Sequence, residues 1–255
     1  MLVLGLDTTT RAGSCALARD GVVLRELSSD TTRPPASRLP GELMALLDQE
    51  GAALRDIDVF AVATGPGSFT GLRVGIATMQ GLAFAARKPL IGVSALDALA
   101  LLGARRDGGS TEQDASDTVV ATWVDAWRGE VYAALYQSGR EVEPPSVELP
   151  AAILGRFGSP HGGPPERIPQ PPERGPCARI VFIGDGAEAH AAIIRDTLGD
   201  RATIAEPAAP LLAGTIAIRA TDAARAGHKP PPHAIRPLYV RRTDAELARD
   251  ARTGC

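Results

Sequence analysis

The sequence predicts an α/β fold in which one β-β-β-α-β-α unit occurs twice, giving two domains. Three observations lead there: short apolar runs punctuated by Asp-Gly and Gly-rich turns, helix-spaced leucines between them, and a return of the same landmarks at a nearly constant offset. Asp7 follows one apolar run and precedes the turn residue Gly21 by 14 positions; Asp125 follows another and precedes Gly139 by the same 14. Gly65-Pro66-Gly67 closes one strand and Gly184-Asp185-Gly186 closes another, so the two sets of landmarks are offset by 118 and 119 positions. A single matching Asp would carry no weight, but two landmarks with matching offsets argue for duplication.

In chain order, residues 2–6 form an apolar strand ending in Asp7-Thr8-Thr9-Thr10, and Ser14–Ala18 and Val22–Leu24 flank the turn Arg19-Asp20-Gly21 as a hairpin. Leu39, Leu43, Leu46 and Leu47 recur at helical spacing through 37–50. Residues 57–63 read as a buried strand, 65–71 as a glycine-rich turn, 71–86 as a helix, 90–93 as a strand and 95–103 as a helix. The second copy has strands at 119–124, 130–136 and 179–183, helices near 186–197 and 211–226, and a strand near 202–204. The expected division is a first domain at 1–104, a polar linker at 105–117, a second domain at 118–232 and a C-terminal segment at 233–255 that docks on the domains and frays. Residues 158–176 hold seven prolines and one large apolar side chain, Ile168, too little to offset ordering entropy, so they read as a disordered insertion.

Composition excludes several functions. Lys plus Arg number 27 against 30 Asp plus Glu, a net charge of −3, so no global field attracts nucleic acid or an anionic membrane. The bias of 25 Arg to two Lys, with no Asn, reads as codon usage rather than as an RNA-binding signal. Cys15, Cys177 and Cys255 form no CxxC pair, which argues against disulfide framework and thiolate metal site and for a reducing, cytoplasmic setting. No run approaches the ~20 apolar residues that cross a bilayer, and no secretory signal pattern opens the chain.

Candidate chemistry gathers at two places. Asp7, Thr8 and Thr9, with Asp125, Gly184 and Gly186 from the second copy, are placed where a duplicated fold resembling the actin, sugar kinase and Hsp70 superfamily holds nucleotide between its halves. Asp7 reads equally as a ligand of hydrated Mg and as a turn cap. For Asp125 the turn cap is the better reading, because Trp127-Arg128-Gly129 puts bulk where a phosphate loop would be small. The most specific segment is Gly65-Pro66-Gly67-Ser68-Phe69-Thr70-Gly71-Leu72-Arg73, at a strand-to-helix turn. It is neither a P-loop nor GxGxxG; Pro66 removes an N–H and Phe69 adds bulk, which suits protein contact or close packing better than a triphosphate. Gly71, Gly75, Thr78 and Gly81 then form a stripe of small residues that lets another helix approach, in this chain or in a partner. His161, His190, His228 and His233 form no HxxxH or HExxH pair, no GxSxG elbow exists, and the aromatics Trp123, Trp127 and Tyr132 read as core or interface before base-stacking groups.

GPGSFTGLR at 65–73 resembles the signature of the TsaB (YeaZ) family, and the similarity extends to LGLDTTT at the start, GVSALDALA at 92–100, VDAWRGEVYAALY at 124–136, GDGA at 184–187 and RPLYVRR at 236–242. The resemblance implies a duplicated actin-like fold, ribonuclease H-like in each half, and a non-catalytic scaffold subunit of the bacterial machinery that makes N6-threonylcarbamoyladenosine on tRNAs reading ANN codons. It implies that the paralogue TsaD carries the transfer, the metal and ATP, that the ATPase TsaE joins the pair, and that this chain holds no cofactor and meets tRNA only through the complex. Partner contact falls, by the same resemblance, to the helices at 37–50 and 71–86, with Leu43, Leu47, Gly65–Gly71, Arg73, Gly75 and Thr78 as interface residues and homodimerisation when TsaD is absent. Where relatives commonly have a His near the start of the first of these helices, Pro34-Pro35-Ala36-Ser37 stands here. The competing readings are an independent actin-like small-molecule kinase and a metallopeptidase, the latter without visible ligands.

Overall fold

Strand β1 (Leu2–Asp7) is the axis of the first half: it pairs antiparallel with β2 (Ser14–Arg19) and parallel with β4 (Val59–Gly65). β3 (Val22–Ser28) and β5 (Leu90–Ser94) complete a sheet of order β3-β2-β1-β4-β5. In the second half β6 (Val119–Asp125) takes the central role among β7 (Val131–Gln137), β8 (Arg140–Glu148), β9 (Ile180–Ile183) and β10 (Ala202–Ile204), in the order β8-β7-β6-β9-β10. The two orders are the same order, and the duplication reaches the turns: Asp20-Gly21 and Ser138-Gly139 are both left-handed pairs (φ 54° and 87°, 50° and 72°), as tight hairpins require. These statements rest on a computed structural model that describes residues 1–10, 13–106, 118–158 and 179–241. Most of the expected linker and nearly all of the Pro-rich insertion, with His161, Cys177, Cys255 and residues beyond Arg241, lie outside the described residues.

Helices α1 (Pro35–Gln49), α2 (Phe69–Ala86) and α3 (Ala95–Arg106) belong to the first half, and α4 (Pro150–Gly158), α5 (Asp185–Ala189), α6 (Ala191–Leu198) and α7 (Ala213–Arg225) to the second. The first unit is thus β-β-β-α-β-α-β-α, one strand and one helix longer than the shortest repeat read from the sequence, and the second follows the same order with α5 and α6 in the place of one helix. Helix α3 runs through Arg105 and Arg106, where the linker was expected to begin, and the helix expected at 186–197 is broken at His190 into α5 and α6. β8 was not separately legible because it contains Pro144 and Pro145, tolerated there because β8 is an edge strand.

Side-chain alternation sorts each sheet into two faces. Leu2, Leu4, Leu6, Cys15, Leu17, Phe60 and Val62 meet Leu39, Leu43, Leu46 and Leu47 of α1 and Ile76, Met79 and Ala83 of α2 in one outer core. Trp123, Leu135 and Phe182 form the matching outer core with Ile153 and Leu154 of α4 and Ile194 of α6. The remaining faces, Val3, Val59, Ala61 and Ala63 of the first sheet and Val120, Val124, Tyr132 and Tyr136 of the second, enclose one shared central core. Its helices cross over: α3 packs on β6 and β9 of the second sheet, while α7 packs on β1, β2 and β4 of the first. The molecule is therefore a stack of helix, sheet, helix, sheet and helix layers.

Two sets of contacts fix the crossover. Tyr136 Oη donates to Asp97 Oδ1 (2.6 Å), tying β7 to α3. At the start of α7, Ser14 Oγ accepts from the Leu212 and Ala213 N–H groups (3.2 and 3.0 Å) and Glu26 Oε1 accepts from the Gly214 N–H (2.9 Å). Residues of the first hairpin thus satisfy the free donors of a helix about 200 positions further along the chain. α7 comes close to β1 because Gly5 has no side chain: a Cβ there would lie 2.5 Å from the Ala213 carbonyl oxygen.

Gly5→Ala is expected to lower the free energy of unfolding by about 1–3 kcal/mol, the usual overpacking cost. Gly81→Ala, whose added Cβ meets nothing within 4 Å on an exposed helix position, is expected to raise it by up to ~1 kcal/mol. Urea denaturation of both variants checks the contrast.

Candidate functional site

The Asp7–Thr10 turn sits between the halves, and its groups are largely used within the turn. Thr9 donates to Asp7 Oδ1 from both its N–H (2.8 Å) and its Oγ1 (2.6 Å), and Thr10 Oγ1 donates to Asp7 Oδ2 (3.4 Å). Asp7 is buried; desolvation raises its pKa against the lowering effect of these hydrogen bonds. The same arrangement recurs at the duplicated position, where the Trp127 N–H donates to Asp125 Oδ1 (2.9 Å) and the Asp125 N–H donates to Asp185 Oδ1 (2.9 Å). Both aspartates are turn caps in this geometry.

The signature segment closes on that turn. The Ser68 N–H donates to the Thr9 carbonyl (2.8 Å), and Ser68 Oγ accepts from the Gly71 N–H (3.2 Å) as the N-cap of α2. Cβ atoms at Gly67, Gly71 or Gly75 would collide with the Thr9 carbonyl, the Thr8 carbonyl and Thr8 Oγ1 respectively. The glycines are therefore spaced to seat α2 on the Thr8-Thr9 backbone. A phosphate at this helix end would need the space that these carbonyl oxygens fill.

This divides the small-residue stripe. Gly71 and Gly75 are buried against Thr8, Thr78 is half-buried, and Gly81 is exposed with open space around it. Leu43 and Leu47, read as interface residues, face the chain's own outer core at 1% and 0% exposure, and the residues that α1 offers to solvent include Pro40, Gly41, Met44 and Ala45 instead. The helical spacing marked an apolar face without telling which side of it is covered. On α2 the outward row is Arg73, Ala77, Gly81 and Phe84, and Phe84 is 79% exposed. Phe69 is 47% exposed; Arg73 lies 3.9 Å from its ring centroid, and Pro66 and Gly67 line a cavity beside it. Thr70 is exposed on the first turn of α2.

Between the halves lies a cavity of about 350 Å3 lined by Thr9, Thr10, Leu99, Asp125, Trp127, Gly184, Asp185 and Leu212, among others. Of the residues read as a nucleotide cleft, Thr9, Asp125 and Gly184 reach it. Asp7 is buried behind it, Thr8 faces Gly75, and Gly186 packs on the backbone of Val124 and Asp125. Burial, then the Asp125 charge, raise the pKa of Asp185 against the hydrogen bond from the Asp125 N–H. No Lys or Arg is among the described lining residues, so a polyphosphate would meet carboxylates. No group of three or more His, Cys, Asp or Glu among the described residues could hold a metal ion. Burial pushes the Cys15 thiol up to about 12, the opposite of an activated nucleophile.

Sequence reasoning missed Asp185 as a lining residue, although Gly-Asp-Gly marks it, and missed how the tail completes the surface. The Leu238 N–H donates to the Thr64 carbonyl (2.7 Å), Gln80 Nε2 donates to the Pro232 and Ile235 carbonyls (3.0 and 3.2 Å), and Arg73 Nε donates to Tyr239 Oη (3.1 Å). Arg241 pairs with Glu130 of the second half.

Two units of one topology, with their last helices crossed and a cavity between them, define a duplicated actin-like α/β protein. The model of the family described as "TsaD: tRNA N6-adenosine threonylcarbamoyltransferase" matches residues 29–249, and the chain belongs to that family's TsaB (YeaZ) branch. The Escherichia coli tRNA threonylcarbamoyladenosine biosynthesis protein TsaB is 42% identical over 137 residues, 54% of this chain and 55% of its own length, so the match spans about half of that relative. An uncharacterized Mycobacterium tuberculosis protein is 33% identical over 96% of this chain and 93% of its own. The structure of YeaZ from Pseudomonas aeruginosa superposes with a TM-score of 0.67 at 30% identity, covering 93% of this chain and 99% of that one.

An acid whose folded pKa is raised favours folding most when protonated, so its contribution is complete below the ordinary carboxylate pKa and is lost as pH rises through the raised value. Asp7 is such a group. Asp7→Asn is therefore expected to flatten the decline in stability as pH rises above the ordinary carboxylate value, measured by thermal unfolding from pH 4 upward; a steeper decline in the variant would show that Asp7 is needed as a charged acceptor.

Proposed function

We propose that the chain is a non-catalytic subunit of the tRNA N6-threonylcarbamoyladenosine biosynthesis machinery that pairs with a TsaD-type transferase and gives TsaE its docking partner. The names carried by its Escherichia coli, Bacillus subtilis and Haemophilus influenzae relatives support the pathway. The observation that carries the pairing is the outward face of α1 and α2. Arg73, Ala77, Gly81 and Phe84 follow one another at helical spacing on α2, and Met44 is exposed on α1, giving side chains small enough for another helix to approach closely and apolar enough to hold it. ATP and metal belong, on this reading, to the partner, because here the chain's own carbonyls fill the helix end where phosphate would bind. Transfer RNA is met through the complex, in the cytoplasm, and the same face allows a homodimer when TsaD is absent. No helix among the described residues is long and apolar enough to cross a membrane. On this reading the domains at 1–104 and 118–232 serve together as the scaffold, with α3 and α7 exchanged between their sheets.

Gly81→Arg and Ala77→Arg are expected to abolish copurification with TsaD while leaving the melting curve close to that of the unmodified chain. Gly75→Leu is expected to fail differently, by unfolding, because its side chain would enter Thr8. In a reconstitution of TsaD, TsaE, ATP, threonylcarbamoyl-adenylate source and tRNA, product should depend on this chain; unchanged product with the chain omitted overturns the reading.

A further inference from the structure

The cavity of about 350 Å3 between the halves carries charge of one sign. Asp125 and Asp185 are its ionisable groups, Asp7 lies buried behind it, and no Lys, Arg or His is among the described lining residues. Burial first, then the Asp125 and Asp7 charges, raise the pKa of Asp185 against the backbone hydrogen bonds it accepts. Carboxylates crowded in a partly closed space repel one another, and a cation brought between them removes that repulsion. The hydroxyls of the lining are acceptors as well: Thr9 Oγ1 and Thr10 Oγ1 direct their protons to Asp7 (2.6 and 3.4 Å) and present lone pairs elsewhere. The remaining wall is hydrocarbon from Leu99, Val124, Pro210 and Leu212, with the indole of Trp127 beside it. That indole is held in place by a strained turn. Trp127 (φ 56°) and Arg128 (φ 57°) are consecutive residues in the left-handed region, which residues with a Cβ occupy only where their surroundings enforce it. Asp125 Oδ1 accepts the Trp127 N–H (2.9 Å), and the Glu130 N–H donates to the Trp127 carbonyl (3.1 Å). One carboxyl group therefore fixes the aromatic side chain and keeps its second oxygen, Oδ2, without a partner among the described residues.

We propose that this cavity binds a primary organic ammonium ion, its charged head meeting Asp125 and Asp185 beside Trp127 and its alkyl stem lying against Leu99 and Leu212. An ammonium head brings three donors and no acceptor, which matches a lining of carboxylates and hydroxyl lone pairs. A neighbouring indole adds attraction for a cation, and the hydrocarbon wall takes up the stem. The volume falls at the small end of the range for small-ligand pockets, room for a short alkyl chain rather than a nucleotide. An organic cation fits better than a metal ion, because no group of three or more His, Cys, Asp or Glu among the described residues could hold one. All of these groups come from one chain, so occupancy is independent of pairing with a transferase.

The full-length chain, isotopically labelled at tryptophan, gives an indole NMR signal for each of its two tryptophans, told apart by the loss of one in Trp127→Phe. It is titrated at constant ionic strength with n-butylammonium chloride, 1-butanol, sodium butyrate and magnesium chloride. The ammonium ion is expected to shift the Trp127 signal saturably and to leave Trp123, fully buried edge-on against Phe182, unmoved. Butanol and butyrate, which carry a similar stem under a neutral or anionic head, should give no saturable shift. Asp125→Asn and Asp185→Asn keep an oxygen to cap each turn and remove the charge; each should weaken binding about 10-fold with an unchanged melting curve, as for loss of a hydrogen bond to a charged group. Ala209→Phe adds bulk at an exposed position of the lining while leaving both carboxylates in place, and should abolish binding; it decides the matter where an amide variant fails to fold. A response to butanol or butyrate equal to that to the ammonium ion, tighter saturation by magnesium, or binding indifferent to the Asn variants or to Ala209→Phe overturns the assignment.

Discussion

The contact between α7 and β1 is the constraint on which the arrangement depends. Gly5 admits the Ala213 carbonyl, and Ser14 and Glu26 take up the first N–H groups of α7. Burial raises the pKa of Glu26 against the hydrogen bonds it accepts, so this cap is held at an electrostatic cost that the packing of Ala213 and Ala217 must offset. With α7 seated, the inner face of the first sheet is covered, and the second sheet is brought to the distance at which α3 can cover it. The cavity between the halves and the alignment of the Asp7 and Asp125 turns both follow from that spacing.

The signature segment has a structural meaning as well as a recognitional one. Its glycines fit α2 onto the Thr8-Thr9 backbone, which converts a helix N-terminus of the kind that binds anions into one already supplied with acceptors. One consequence is visible on the other side of α2. Seating Gly71 and Gly75 inward fixes the helix rotation, and that rotation turns Arg73, Ala77, Gly81 and Phe84 outward. Loop and proposed docking face are two sides of one choice of register.

Much of this was legible in the sequence. Period-two apolar runs, Asp-Gly and Gly-rich turns and repeated landmarks specify the strands and the duplication, since these are local signals. What was not legible is which surface each amphipathic element covers. Leu43 and Leu47 are spaced as a contact face whether the contact is internal or external, and α7 has an alanine-rich pattern that does not say it belongs on the sheet of the other half. β8 was hidden by Pro144 and Pro145, whose tolerance depends on an edge position that only the assembled sheet defines. At the site, the turn residues were found by type, but that Asp185 lines the cavity and that Tyr239 and Arg241 reach Arg73 and Glu130 are contacts between distant segments, which no local spacing specifies.

The exchange of helices also sets an order of events for a chain made from its N-terminus. The strands of the first sheet emerge early, yet the surface bearing Val3, Ala61 and Ala63 is not covered until residues near Arg225 have left the ribosome. Contacts of such sequence separation are slow to close, and the uncovered apolar face is exposed to aggregation while they do. The inner face of the nascent first half therefore stays uncovered through most of synthesis, and its maturation is timed by the far end of the chain.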